Sequence, residues 1–228
     1  MQEDFQYIKD HLINDAYLLR DGRPVFTTFP YEDNCAAWRA AIDAVFGPGG
    51  ADLIWTDQPR NAGENACFAW VRPDGDAMDY SSKYPWKDPN NVGDHFLRDF
   101  YRAPNRAEKS VEYLMGGVWP GFNDQLVSWA WKPDPEDPRI RPRVIVRESR
   151  RGNTLDLTWQ AYIDYLRDWV AGSEEARIPA PLIQLVTWND YAETTTLEPT
   201  RDYGTAPLEL CRQRLKEART LWRQRLLS

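Results

Sequence analysis

No stretch of this chain reaches the roughly 18 consecutive apolar residues that a membrane-spanning helix needs, so no membrane span is expected. Basic residues are in short supply: 28 lysines and arginines face 35 aspartates and glutamates, a formal net charge of −7. Without a cationic excess to neutralise phosphates, nucleic acid and anionic membrane surfaces are poor partners, and a neutral ligand is expected. Cys35, Cys67 and Cys211 are far apart, odd in number and without Cys-x-x-Cys spacing. That pattern argues against a disulfide framework or a zinc knuckle and for buried free thiols. His11 and His95 stand outside any His-x-x-x-His or Glu-x-x-His setting, so no metal site is expected. No Gly-x-Gly-x-x-Gly follows an apolar run, which removes a dinucleotide cofactor, and none of another kind is indicated. The first residues, Met1 to Tyr7, carry neither a positive n-region nor an apolar h-region, so no secretory signal is read there.

What the sequence does contain is length, aromatic surface and alternation. Its 228 residues suffice for one domain with a sizeable core, and a single domain over residues 1–228 is expected. Eleven tryptophans supply large flat apolar faces, which either fill a core or stack on the apolar side of a sugar ring. Short apolar runs bounded by Gly, Pro, Asp or Asn read as buried strands: Pro24 to Phe29, Asp52 to Trp55, Ala66 to Val71, Tyr113 to Val118 and Leu182 to Thr187. They lack polar alternation, which suits a parallel sheet covered by helices. Helical spacing recurs over Cys35 to Phe46, Val92 to Tyr101, Thr158 to Ala171 and Pro207 to Leu226, while Met1 to Arg20 reads as a helix entering a strand. Arg72 to Asn91 and Lys132 to Pro138 are rich in breakers and read as loops.

Alternating strands and helices define an α/β fold, either doubly wound or a (β/α)8 barrel. Polar and aromatic residues gather just after strand C-terminal ends, at Thr56-Asp57-Gln58, Trp119 to Asp124 and Asn189 to Glu193. This is the face on which a TIM-type barrel does its chemistry. Five strands are legible, whereas a complete barrel has eight; the expectation is therefore an incomplete barrel whose first strands are missing.

The last apolar run opens into Trp188-Asn189-Asp190-Tyr191-Ala192-Glu193. In a continuing strand, positions i and i+3 face opposite ways, so both acids serve one cleft only if the chain turns at Asp190. Glycoside hydrolysis needs such a pair, one carboxyl protonated to release the leaving oxygen and one ionised to activate a nucleophile. Trp188 and Tyr191 are placed to desolvate one acid or to hold a sugar ring, and Asn189 to hydrogen-bond the other acid or a hydroxyl. The competing reading makes Asn189 and Asp190 turn and capping residues. Trp55 and Asp57, at the end of an earlier strand, and Trp119 and Asp124, after another, are further sugar-binding candidates; core filling and capping are their alternatives. Glu198 is a candidate to pair with Arg201 or Arg147, and Arg139 to Arg151 reads as a solvated face.

The segment Thr187 to Glu193, followed by Leu197-Glu198-Pro199 and Tyr203-Gly204, resembles the end of the last strand in glycoside hydrolase families 71 and 99, the endo-1,3-α-glucanases and endo-α-mannosidases. Gly117 to Asp124 is similar to the Pro-Gly-aromatic-x-Asp turn of family 99. Arg147 to Gly152 falls where that family carries an Arg…Gly stretch, and Gly22 to Phe26 weakly resembles an earlier strand. The resemblance implies a (β/α)8 barrel, a polysaccharide or oligosaccharide substrate with α-linkages, an extracellular or cell-envelope setting, and catalysis by Asp190 and Glu193. Glu193 would be the general acid. Asp190 would activate water with inversion, as in the glucanases, or assist attack by the sugar's own 2-hydroxyl with retention, as in the mannosidases. Asp at 190 with Tyr at 191 resembles the glucanases, whereas Thr196 to Pro199 is closer to the mannosidases; Ala192 stands where Gly or His is usual. Two other readings remain: a glycan-binding barrel fragment without catalysis, and a domain that assists polysaccharide assembly.

Overall fold

The computed structural model describes residues 1–29, 34–56, 66–74, 90–102, 112–127, 144–173 and 178–227. They form an α/β fold with a mainly parallel sheet, divided into two compact units: Met1–Phe68 with Pro104–Met115, and Ala69–Ala103 with Gly116–Ser228. No helix among the described residues is long and apolar enough to cross a membrane.

The first unit opens with α1 (Gln2–His11), whose first turn carries Glu3 and Asp4 and whose last carries Lys9 and His11. That charge order complements the helix dipole. β1 (Leu19–Arg20) and β2 (Arg23–Thr28) form an antiparallel hairpin. Its two-residue turn is Asp21-Gly22, both at positive φ (51° and 78°), the conformation that matches the twist of the flanking strands and favours Asp-Gly. β2, β3 (Asp52–Thr56), β4 (Ala66–Phe68) and the start of β5 (Tyr113–Val118) then pair in parallel, with Val25 opposite Asp52, Ile54 opposite Ala66 and Ala66 opposite Tyr113. Every residue of β4 and all but the last of β3 are buried, as a sheet covered on both faces requires. The core sets Phe5 edge-on to Phe26 at 5.1 Å, and joins α2 (Cys35–Phe46) to the sheet through Ile42, Val45 and Trp38.

Where these strands begin, Asp52 is fully buried between two guanidiniums, with Arg20 Nη1 at 2.5 Å and Arg23 Nη2 at 3.1 Å. The Tyr113 hydroxyl donates to the same carboxylate at 3.0 Å, and Arg20 lies over the Tyr113 ring at 4.3 Å while reaching Glu112 at 2.6 Å. A buried charge persists only when paired and hydrogen-bonded in this way.

In the second unit, α4 (Thr154–Val170) packs on α3 (Asp94–Arg102) and on α5 (Ala206–Leu226). Tyr101 of α3 stacks on Tyr165 of α4 at 4.5 Å, and Trp159 of α4 donates to Cys211 Sγ of α5 at 3.4 Å. All three cysteines are free and buried. The end of β5 passes close beneath these helices at Gly116-Gly117. A Cβ on Gly116 would meet the Tyr162 ring at 2.5 Å, and one on Gly117 would meet the Ala69 carbonyl at 2.8 Å. β10 (Pro179–Leu185) neighbours β5. Short antiparallel pairs, β6 (Phe122–Asn123) with β7 (Val144–Ile145) and β8 (Glu148–Ser149) with β9 (Gly152–Asn153), complete the unit.

The elements expected over Cys35–Phe46 and Tyr113–Val118 coincide with α2 and β5. β4 ends at Phe68 rather than Val71, and α4 starts at Thr154 rather than Thr158, because the Asn153 side chain accepts the Asp156 amide at 3.3 Å and caps it. β10 starts at Pro179 instead of Leu182. Proline read as a breaker in sequence is tolerated in a strand that needs no donor on one side. The loop expected over Arg72–Asn91 is described only at its ends, and Lys132–Pro138 lies outside the described residues.

The buried ionic cluster gives a direct stability expectation. Asp52→Ala should destabilise the protein by about 3 kcal/mol in urea unfolding, since two guanidiniums lose their shared carboxylate. A change under about 0.5 kcal/mol would show that the cluster contributes nothing.

Candidate functional site

The chain turns sharply after β10. Val186 is buried and its amide donates to Val118 O at 3.0 Å; the peptide between Val186 and Thr187 is cis. Thr187 then clasps Thr195: the Thr187 amide donates to Thr195 O at 2.8 Å, and the two hydroxyls lie 2.8 Å apart. Leu197 N donates to Thr187 O at 3.0 Å, and Glu198 N to Trp188 O at 2.8 Å. Residues 188–195 are thus a loop closed at its base by backbone bonds, with Thr195, Thr196 and Leu197 buried beneath it.

Inside the loop, Asp190 Oδ1 accepts the Glu193 amide at 2.9 Å. This side-chain bond to a later backbone amide is the kind by which Asp shapes turns. The Asp190 amide donates to Thr187 Oγ1 at 3.2 Å, and Thr196 Oγ1 donates to Asp190 O at 3.3 Å. Glu193 is fixed from the other side, its carbonyl accepting the Asn123 amide of β6 at 2.8 Å. Both acids are half-buried. The structure therefore brings Asp190 and Glu193 onto one turn, and it also commits one oxygen of Asp190 to building that turn.

Asn189 is exposed, and so are the rings of Trp188 (54%) and Tyr191 (57%). The Tyr191 hydroxyl donates to Glu198 at 2.7 Å, and that hydrogen bond, with a smaller contribution from burial, holds the phenol above its ordinary pKa. Glu198 was expected to pair with Arg201 or Arg147; it takes Tyr191 instead. Arg147, expected on a solvated face, is half-buried and donates to the carbonyls of Thr194 and Thr196. Arg151 is likewise engaged, in a bidentate pair with the buried Asp94 at 2.8 and 2.7 Å.

Three sugar-binding candidates do not have the expected exposure. Trp119 is 0% exposed, its indole donating to Val92 O at 3.0 Å, so it is a core residue and offers no face to a sugar. Asp124 is also 0% exposed. Trp55 is 5% exposed and packs edge-on against Trp38 in the core of the first unit. Trp119 and Asp124 follow strands and Trp55 lies within β3, and spacing along the sequence does not reveal that all three are buried. Asp57 lies outside the described residues. The sequence reading named Arg147 only as a candidate partner for Glu198, and assigned Asn123, Thr187, Thr195 and Tyr203 no part in closing the loop. Of these, only the threonine run Thr194 to Thr196 carries a signal, as side chains suited to bonding a nearby backbone.

Among the described residues, Asp74, Asp94 and His95 bring potential metal-binding atoms within 4.8 Å of one another. The Arg151 guanidinium occupies both Asp94 oxygens, and Asp74 Oδ1 accepts the Phe96 amide at 2.9 Å at the start of α3. Burial raises the Asp74 carboxyl, against the opposing pull of that hydrogen bond. The donors are those of an ion pair and a helix cap. In comparisons with known proteins, the chain matches no family model, no curated protein and no solved structure.

The two roles of Asp190 separate by substitution. Asp190→Asn retains an Oδ1 acceptor for the Glu193 amide and should melt within about 1 °C of the parent. Asp190→Ala removes it and should cost about 1 kcal/mol, as loss of a comparable side-chain cap does. Equal melting of all three proteins would show that the bond does not hold the loop.

Proposed function

We propose that this chain is part of a (β/α)8-barrel glycoside hydrolase that cleaves α-glycosidic bonds in a polysaccharide, an α-1,3-glucan or an α-mannan, with Asp190 and Glu193 as its carboxylate pair. The observation that supports the reading is the closed turn after β10, which carries both acids along with the exposed residues Trp188 and Tyr191. A parallel sheet whose last strand delivers this turn is consistent with a barrel presenting its chemistry at strand C-terminal ends.

In this reading Glu193 is the general acid that protonates the leaving oxygen. Asp190 is the base, through the oxygen that the Glu193 amide does not take. It either activates a water on the opposite face of the sugar or assists its 2-hydroxyl. For direct attack by water, the carboxyl groups must stand about 6.5–9.5 Å apart; a covalent double displacement needs about 5–5.5 Å. Trp188 and Tyr191 provide flat faces for sugar stacking, and Asn189 an amide for a hydroxyl.

A second reading, glycan binding without hydrolysis, is favoured by the use of Asp190 Oδ1 as a turn-forming acceptor. A reducing-sugar assay run beside a tryptophan-fluorescence titration with α-glucan and α-mannan oligosaccharides separates the two. The hydrolase reading predicts sugar release that falls by about 10³-fold or more in Asp190→Asn and in Glu193→Gln, with melting nearly unchanged. Quenching without release favours binding alone, and full activity in either variant removes the catalytic assignment.

A further inference from the structure

Arg147, between β7 and β8, is a half-buried cation that has no carboxylate partner among the described residues. A single terminal nitrogen of its guanidinium donates to two carbonyls, Thr194 O at 3.1 Å and Thr196 O. These flank Thr195, the residue that clasps Thr187 and closes the loop. Thr194 itself sits at φ 56°, a left-handed conformation uncommon for a β-branched residue, so its peptide must be held from outside. The Tyr203 ring covers the guanidinium at 4.3 Å. Gly121 makes room for the side chain: a Cβ there would come within 3.0 Å of Arg147 Cγ. Burial draws the Arg147 pKa below its ordinary value, as expected when carbonyl dipoles and a ring stand in for a counter-ion.

Resting on the hydrolase reading above, we propose that Arg147 is a positioning residue: by bridging the carbonyls of Thr194 and Thr196 under Tyr203, it fixes where Glu193 stands relative to Asp190. It touches neither the sugar nor the acids' reacting atoms in this role. A planar guanidinium can lie flat on Tyr203 while donating to both carbonyls; an ammonium can donate to both but has no flat face to stack on the ring.

The test uses the full chain as wild type, Arg147→Met and Arg147→Lys, with three readings: steady-state kinetics on the glycan the wild type cleaves, thermal melting, and amide hydrogen exchange over residues 187–198. Arg147→Met should lower kcat by about tenfold or more with KM nearly unchanged, since small misplacements of reacting groups cost rates of that order. Its amide exchange should rise within 187–198 alone. Arg147→Lys should recover part of kcat, and millimolar guanidinium should restore activity to Arg147→Met more than to wild type. If Arg147→Met does not fold, Tyr203→Leu, which strips the ring from the guanidinium, takes its place in the same measurements. A wild type that releases no sugar overturns the hydrolase reading, and faster exchange confined to the loop then still upholds the clamp. Unchanged exchange in the variants, or unchanged kcat in an active enzyme, overturns the clamp.

Discussion

A strand that leaves a sheet must find new partners for its backbone amides and carbonyls, because leaving them unpaired near a core costs about as much as a lost hydrogen bond. After β10 that requirement is met by the chain's own return. Thr187 and Trp188 bond to Thr195, Leu197 and Glu198, so the residues between have no option but to turn. Side chains then fill the loop. Asp190 takes the Glu193 amide, Asn123 takes the Glu193 carbonyl, and Arg147 takes two more carbonyls. Each of these is a side chain or a neighbouring strand doing what a sheet ladder would otherwise do. The two acids share one turn as a result of this hydrogen bonding.

The rest of the second unit gives the loop a firm base. Gly116 and Gly117 let β5 approach Tyr162 and the Ala69 carbonyl more closely than any side chain would permit. Tyr101 bonds to the Gly117 backbone, as donor to its carbonyl and acceptor from its amide. Complete burial raises the Tyr101 phenol far above its ordinary pKa, so it stays neutral and able to fill both roles. α4 is held on both flanks, by aromatic stacking and by ion pairs such as Arg98 with Asp164 and Arg214 with Asp156. These pairs are partly exposed and individually worth little; the aromatic and aliphatic burial carries the packing.

Much of this architecture was legible in the sequence because buried parallel strands and amphipathic helices leave periodic traces. α2 and β5 are instances where the trace and the element coincide. What was not legible has physical causes of its own. The β1–β2 hairpin rests on two residues, Asp21 and Gly22, rather than on a period. β10 begins at two prolines that read as punctuation. The pairing of Asp190 with Glu193 on a turn could be posed from their spacing as a requirement, but which bonds would make the turn depended on Thr187, Asn123 and Arg147, distant or featureless in sequence. Trp55, Trp119 and Asp124 mislead for the same reason. A polar or aromatic residue after a strand marks a place along the chain, and its exposure depends on what packs over that place.

The central claim is that the turn after β10 presents Asp190, Glu193 and the rings of Trp188 and Tyr191 to one sugar-bearing ligand. The most direct measurement is a crystal structure of the protein with an α-1,3-glucan or α-mannan oligosaccharide bound. The account predicts a sugar ring against Trp188 or Tyr191 and a glycosidic oxygen within hydrogen-bond reach, about 2.5–3.0 Å, of the Glu193 carboxyl. An oligosaccharide bound elsewhere, or a Glu193 carboxyl turned away from the glycan at that turn, would contradict it.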